Sequence, residues 1–368
     1  MSSLPGSIRQ LGTRFLYERL LECSVDTPIA TRFSLETLAL MPSFACDVAC
    51  AHCVFHSRPN LPTHLNLAEI DDVILQAAAE TTIQRVTLSG GEPFLHLSKV
   101  MHVAATVASC HLKFRVVTNA TFASSDEAAE KVLFELKEIG LESLAISWDS
   151  FHEKFISPKS VQTLLRAARK LAISVRITVV ATGPHRIGDA IALLGQESFE
   201  IPVTEVRCLP VGRAESMVPK EDLIPIPPWD KGRACRSDFD TLSVTADGSV
   251  YPCCAVGGFT QGILLGNVKN TSLSDLLRRR DNDMRWLILA RKGPRHLLGF
   301  ATDSELREIN VTEADHDCVA CNRMFRSRTG DILVERASSA LRSQAKQLIR
   351  TIDGESSDGR YTESVTGE

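Results

Sequence analysis

Val86-Thr87-Leu88-Ser89-Gly90-Gly91-Glu92-Pro93 runs a β-branched strand straight into a glycine turn. The paired glycines let a ligand approach the backbone closely, and Glu92 sets a carboxylate beside it. Upstream, Cys46, Cys50 and Cys53 stand in the spacing C-x3-C-x2-C within Ala45-Cys46-Asp47-Val48-Ala49-Cys50-Ala51-His52-Cys53. Three thiolates on one short loop can hold three irons of a four-iron cluster and leave the fourth iron open to a small ligand, whereas a structural site is closed by four protein ligands. A zinc knuckle or three unrelated buried thiols would share the spacing.

Outward from these two motifs, strand and helix patterns alternate. Strand-like runs are Leu35–Met41, Arg85–Ser89, Lys113–Thr118, Ser143–Ser147, Ser174–Val180 and Glu205–Leu209. Helical patterns between them are Leu67–Glu80, Leu97–Ala108, Asp126–Ile139, Val161–Leu171 and Ile187–Gln196. This alternation predicts an α/β fold of parallel βαβ units, whose active site sits at the carboxyl ends of the strands. The cysteine loop falls just after the first strand.

Together the two motifs resemble those of the radical S-adenosylmethionine (radical SAM) superfamily, over residues 40–215 for a core and 235–325 for an appended module. The resemblance implies an open partial (β/α)6 TIM barrel. It implies that Cys46, Cys50 and Cys53 bind a [4Fe-4S] cluster whose open iron is chelated by SAM, and that Gly90, Gly91 and Glu92 hold the SAM amino group. At the ends of the third, fourth and fifth strands it extends the cofactor-binding expectation to Asn119, Ser147 and Arg176. Asn119 would equally cap a turn, and Arg176 would equally form an ion pair at a barrel end. Pro210-Val211-Gly212-Arg213-Ala214 resembles the segment that closes the sixth strand near the adenine. His52 reads as a ring packed beside the cluster loop, and His152 as a surface or loop residue.

A second cysteine set follows. Cys235-x17-Cys253 precedes a distant Cys318-x2-Cys321, and Asp247-Gly248 between them reads as a hairpin turn leading into Cys253. Four such thiols can close a tetrahedral site for zinc or an iron–sulfur cluster. Behind a radical SAM core, the set resembles the shorter "twitch" form of a SPASM domain, a small C-terminal β-hairpin/helix module. This implies a second, auxiliary [4Fe-4S] cluster on Cys235, Cys253, Cys318 and Cys321, with Cys254 as a competing ligand. A fully ligated cluster has no open iron, so electron transfer is the role it implies, with stabilisation of the module as the alternative.

The expected organisation is an N-terminal helical segment (1–34, with an amphipathic helix from Ser7 to Val25), the core (35–214), a proline-rich linker (215–234), the auxiliary module (235–330), a C-terminal helix (331–352) and a polar tail (353–368) that reads as disordered. Of the 368 residues, 44% are hydrophobic and 23% charged, and the net charge is −4. That balance gives no sign of a nucleic-acid surface. No stretch of about 18 apolar residues predicts a membrane span, and no signal peptide is visible. Eleven cysteines clustered at metal-ligand spacing, rather than spread as a disulfide framework, point to a reducing, cytoplasmic compartment.

The resemblance implies reductive cleavage of SAM to a 5′-deoxyadenosyl radical that abstracts a substrate hydrogen, with ferredoxin or flavodoxin as the electron source. The favoured outcome is modification of a ribosomally made peptide by cross-linking, thioether formation or epimerisation. The alternative is oxidation of an aminosugar or cyclitol carbinol, to which the cysteine layout itself points. A further alternative is a non-catalytic iron–sulfur carrier. Cys208, closing the sixth strand, reads first as a small buried apolar residue, with a hydrogen-atom donor to a substrate radical as the catalytic alternative. Nothing in the sequence fixes the oligomeric state.

Overall fold

The computed structural model describes residues 35–62, 64–80, 82–227, 235, 239–312 and 315–352, with the last five as backbone only. The helix expected between Ser7 and Val25, the tail from 353 and the last residues of the linker lie outside them. Six parallel strands form the barrel: β1 (Thr37–Leu40), β2 (Arg85–Leu88), β3 (Lys113–Thr118), β4 (Leu141–Ser147), β5 (Ser174–Ala181) and β6 (Val203–Arg207). They are hydrogen-bonded in sequence order, and β6 does not return to β1, so the barrel stays open. The sixth strand begins two residues before the run expected from sequence. It starts directly after Pro202, whose carbonyl accepts from Ile177, and ends before Cys208-Leu209-Pro210.

The connecting helices begin where local chemistry satisfies their first N–H groups. Asn66 and Glu69 form a capping box for Leu67–Ala79, Ser125 caps Asp126–Ile139, and Ser157 caps Pro158–Lys170 with proline in its first turn. Their buried faces (Ile70, Ile74, Val103, Leu133, Leu136, Leu164) pack with Leu38, Leu40, Val86, Leu88, Val116, Ile146 and Ile177 from the strands into one core. This packing fixes the strands' carboxyl ends, and the loops leaving them meet over a common opening.

The chain then adds β7 (Thr241–Val244), β8 (Ser249–Tyr251) and β9 (Gly266–Asn267). β7 pairs in parallel with β1, Thr37 opposite Thr241 and Leu40 opposite Val244, and β8 and β9 follow antiparallel. The result is a single nine-stranded sheet, ordered β6-β5-β4-β3-β2-β1-β7-β8-β9. Between β7 and β8, Gly248 takes φ +86°, the left-handed value this hairpin turn requires. Leu242, Val244, Val250 and Leu276 join the barrel core, while Trp286, Ile288, Leu297, Met324, Phe325 and Leu333 build a second one. Polar links tie the regions: the backbone N–H of Leu273 donates to Gln76 Oε1 at 2.7 Å, Lys269 pairs with Glu69 at 3.0 Å, and Arg326 pairs with Glu215 at 2.8 Å. Among the described residues no helix is long and apolar enough to cross a membrane.

Candidate functional site

The cysteine loop leaves β1 and is zipped to its neighbours through backbone atoms. Cys46 N–H donates to Arg58 O at 3.1 Å, and Gly91 and Glu92 N–H donate to Ser43 O and Ala45 O, both at 2.9 Å. The contact is so close that a Cβ on Gly90 would stand 2.3 Å from Ser43 O, and one on Gly91 1.9 Å from Ala45 O. Both positions therefore require glycine, and Gly90 also has φ +130°. From the end of β6, Gly212 presses on Val54, and Arg213 grips the loop three times. Its backbone N–H donates to Cys53 O (2.9 Å), and its guanidinium donates to Cys50 O and Ser57 O (both 2.7 Å). Arg213 escaped the sequence reading as a loop clamp, because carbonyls far off in sequence carry no residue-type signal.

Cys46, Cys50, Cys53, Gly90, Gly91, Asn119 and Ser147 line one cavity of about 220 Å³ at the strand ends, joined by Phe55, His152, Thr178 and Val180. Asn119 Nδ2 lies 3.8 Å from Cys46 Sγ and donates to Asp47 Oδ1 at 3.0 Å. Glu92 is buried and outside the cavity lining. Its oxygens accept from Thr118 Oγ1 (2.8 Å), Asn119 N–H (2.8 Å) and Phe94 N–H (3.0 Å), so it braces β2 against β3. Burial raises its carboxyl to about 7 despite those three donors.

Arg176 is placed away from the cavity. It is exposed in the first half of β5, close enough to Arg115 to repel its charge. Thr178, two residues on along the same strand face, reaches the cavity instead. Cys208 follows β6 directly, two positions beyond Val206, the register partner of the cavity residue Val180. It is 3% exposed and does not itself line the cavity. Burial pushes its thiol up to about 11, with the charge of Asp149 adding.

His152 departs from the surface reading. It is buried, lines the cavity, and its Nδ1 meets Asp149 Oδ1 at 2.9 Å. Asp149 also accepts backbone N–H groups from Phe151, His152 and Val180. Burial opposes both charges, but each holds the other: His152 is raised and Asp149 lowered, with Cys50 adding to the histidine shift. His52 packs against Phe151 and His152, with ring centres 4.8 and 5.0 Å apart, and burial lowers it to about 4.

The second cysteine set gathers in the C-terminal region. Cys253 follows β8, Cys318 and Cys321 lie one turn apart on the helix Asp317–Phe325, and the Cys235 N–H donates to Leu289 O. Gly257 and Gly258 pack on Cys318 and Cys253, where a Cβ would stand 2.1 Å from Cys318 O and 3.1 Å from Cys253 Sγ. Burial drives Cys253 and Cys321 well above the usual thiol range, and the neighbouring cysteines of the set push both further. Cys254 is exposed.

Residues 40–190 match the family model of the radical SAM superfamily, and residues 235–322 match that of the SPASM iron–sulfur cluster-binding domain. YydG of Bacillus subtilis (strain 168), named for peptide biosynthesis, is 21% identical over 295 residues, covering 79% of this chain and 92% of that protein. Among solved structures, BtrN in complex with AdoMet and 2-DOIA is similar at TM-score 0.44 and 15% identity, covering 71% of this chain and 89% of BtrN. AnSMEcpe with AdoMet and the Cp18Cys peptide is similar at TM-score 0.49 and 14% identity, covering 85% and 99%. The chain carries a radical SAM domain over residues 40–190 and a SPASM domain over residues 235–322. Those two domains bring SAM and two iron–sulfur clusters to it.

The residues present fit those groups. No disulfide engages the described cysteines. Cys46, Cys50 and Cys53 line one cavity, and their thiols are the soft ligands that iron–sulfur clusters take. Burial raises the Cys46 thiol to about 12, so a thiolate there needs a cation beside it.

Proposed function

We propose that this chain is a peptide-modifying radical SAM enzyme that inverts a stereocentre, with Cys208 returning the hydrogen atom. The observation that carries this reading is the place of Cys208, a buried thiol behind the cavity wall, two positions beyond the register partner of the cavity residue Val180 and in neither ligand set. The name of YydG supports a peptide as the substrate class. In this reading Cys46, Cys50 and Cys53 hold the first cluster, and Cys235, Cys253, Cys318 and Cys321 hold the second. Gly90, Gly91, Asn119, Ser147 and Thr178 frame SAM, and a ferredoxin or flavodoxin supplies electrons.

Bound there, SAM and its cluster would supply the radical chemistry that removes a hydrogen atom from the substrate. The chain's own residues do the rest. Arg213 and the glycine pair fix the loop, and the Cys208 S–H would give one hydrogen atom to the opposite face of the planar carbon radical. That transfer breaks the S–H bond, forms a C–H bond and leaves a sulfur radical. One electron and one proton from outside the site restore the thiol. Oxidation of a cyclitol carbinol is the second reading, favoured by the four-cysteine layout of the auxiliary set.

In D2O, with a peptide from a neighbouring short reading frame, the wild type places one deuterium at the inverted carbon. Cys208→Ala continues to release 5′-deoxyadenosine while epimerised product falls to background. Full product without deuterium from Cys208→Ala would overturn the assignment.

A further inference from the structure

Phe55 lies two residues beyond Cys53 and lines the cysteine-loop cavity. It is the middle of a continuous series of rings. Phe44 stacks on it with centres 4.5 Å apart, Phe259 meets it edge-on at 4.7 Å, and Tyr251 meets Phe259 edge-on at 5.2 Å. The first two rings come from the loop after β1. The last two come from the C-terminal region, Tyr251 on β8 two residues before Cys253, and Phe259 directly after the Gly258 that packs on Cys253 Sγ. All four rings are half-buried and keep accessible surface. The series therefore runs from the cavity beside one cysteine set to the residues packed on the other.

We propose that this aromatic wall is the substrate-facing surface between the two cysteine sites, and that Phe259 is a specificity-determining residue which packs an apolar or aromatic side chain of the peptide. The inference rests on the peptide reading above and names the kind of residue that site accepts. Ring faces offer dispersion and offset or edge-on stacking to an apolar or aromatic group. They give little to the hydroxyls of a polyol, which lose hydrogen bonds to water without finding new partners. The SPASM domain thus supplies half of the substrate site as well as the auxiliary thiols. The glycines at 257 and 258 let the segment before Phe259 lie directly on Cys318 and Cys253, where a Cβ at either would crowd them.

The test uses the holoenzyme with SAM bound and a random peptide library in mRNA display. Wild type retains peptides that share an aromatic or branched aliphatic residue at one position. Phe259→Ala loses that preference and retains about tenfold fewer of them, the loss expected when one aromatic face of a pocket is removed. Phe259→Leu keeps the aliphatic preference and loses the aromatic one, a pattern that a merely structural role would not produce. Iron content and thermal midpoint are read for each variant. Should Phe259→Ala lose iron, Phe259→Leu carries the test alone. An unchanged preference in an iron-replete Phe259 variant would overturn the wall and leave the peptide reading standing. If wild type enriches no sequence at all, the peptide reading falls and takes the wall with it.

Discussion

Replacing Cys46, Cys50 and Cys53 together by alanine lowers the iron in anaerobically reconstituted protein from about eight to about four atoms per chain, and release of 5′-deoxyadenosine with dithionite and SAM stops. The expectation follows from the separation of the two thiol sets. The first lies on a loop hung from β1 and held by Arg213, while the second is gathered by β8 and the helix Asp317–Phe325. Removing the first set leaves the second intact, because its ligands and packing glycines come from other elements. Iron and sulfide counts with 5′-deoxyadenosine chromatography check this. About four irons in the wild type and none in the variant would mean that the second set holds zinc or nothing, and the auxiliary electron route would fall.

Gly91→Ala is expected to be nearly as damaging without touching a thiol. Its Cβ would stand 1.9 Å from Ala45 O and 2.7 Å from Phe44 O, backbone atoms that cannot swing aside like a side chain. The loop before Cys46 must shift, breaking the two N–H···O bonds from Gly91 and Glu92. Overpacking of this kind costs about 3 kcal/mol. The variant keeps about four irons in the auxiliary site, loses SAM cleavage and melts at lower temperature. Gly188→Ala is the matched control. It lies in the helix Ile187–Leu194 with nothing within 4 Å of the new Cβ, and should stabilise by roughly 0.5–1 kcal/mol. Calorimetry together with the cleavage assay separates the two.

What was legible in the sequence was local. Amphipathic periodicity set the five barrel helices and the strands between them, because each buries one stripe on a common core. Cysteine spacing and the glycine pair marked the site, since few chemistries need either pattern. Asp247-Gly248 marked its hairpin through the backbone angle that turn demands. What stayed hidden was contact across long separations. Nothing in Thr241–Val244 announces β1 as its neighbour, as parallel pairing leaves no turn signature. Arg213 binds carbonyls, which every residue has. His152 resembled a loop histidine until Asp149 and the cavity gave it a place. Arg176 drew the cofactor expectation by being charged on the right strand, but lies two residues short of the cavity position that Thr178 occupies.

The pairing of β1 on both sides bears on the order in which the protein can be made. Thr37–Leu40 leaves the ribosome early, finds β2 soon after, and waits for Thr241–Val244 to fill its other edge. Until then a Leu-rich strand carrying the oxygen-sensitive thiol loop stands as an open edge, the kind that templates pairing with another nascent chain. The radical-generating half therefore reaches its finished state only when the C-terminal half has been synthesised.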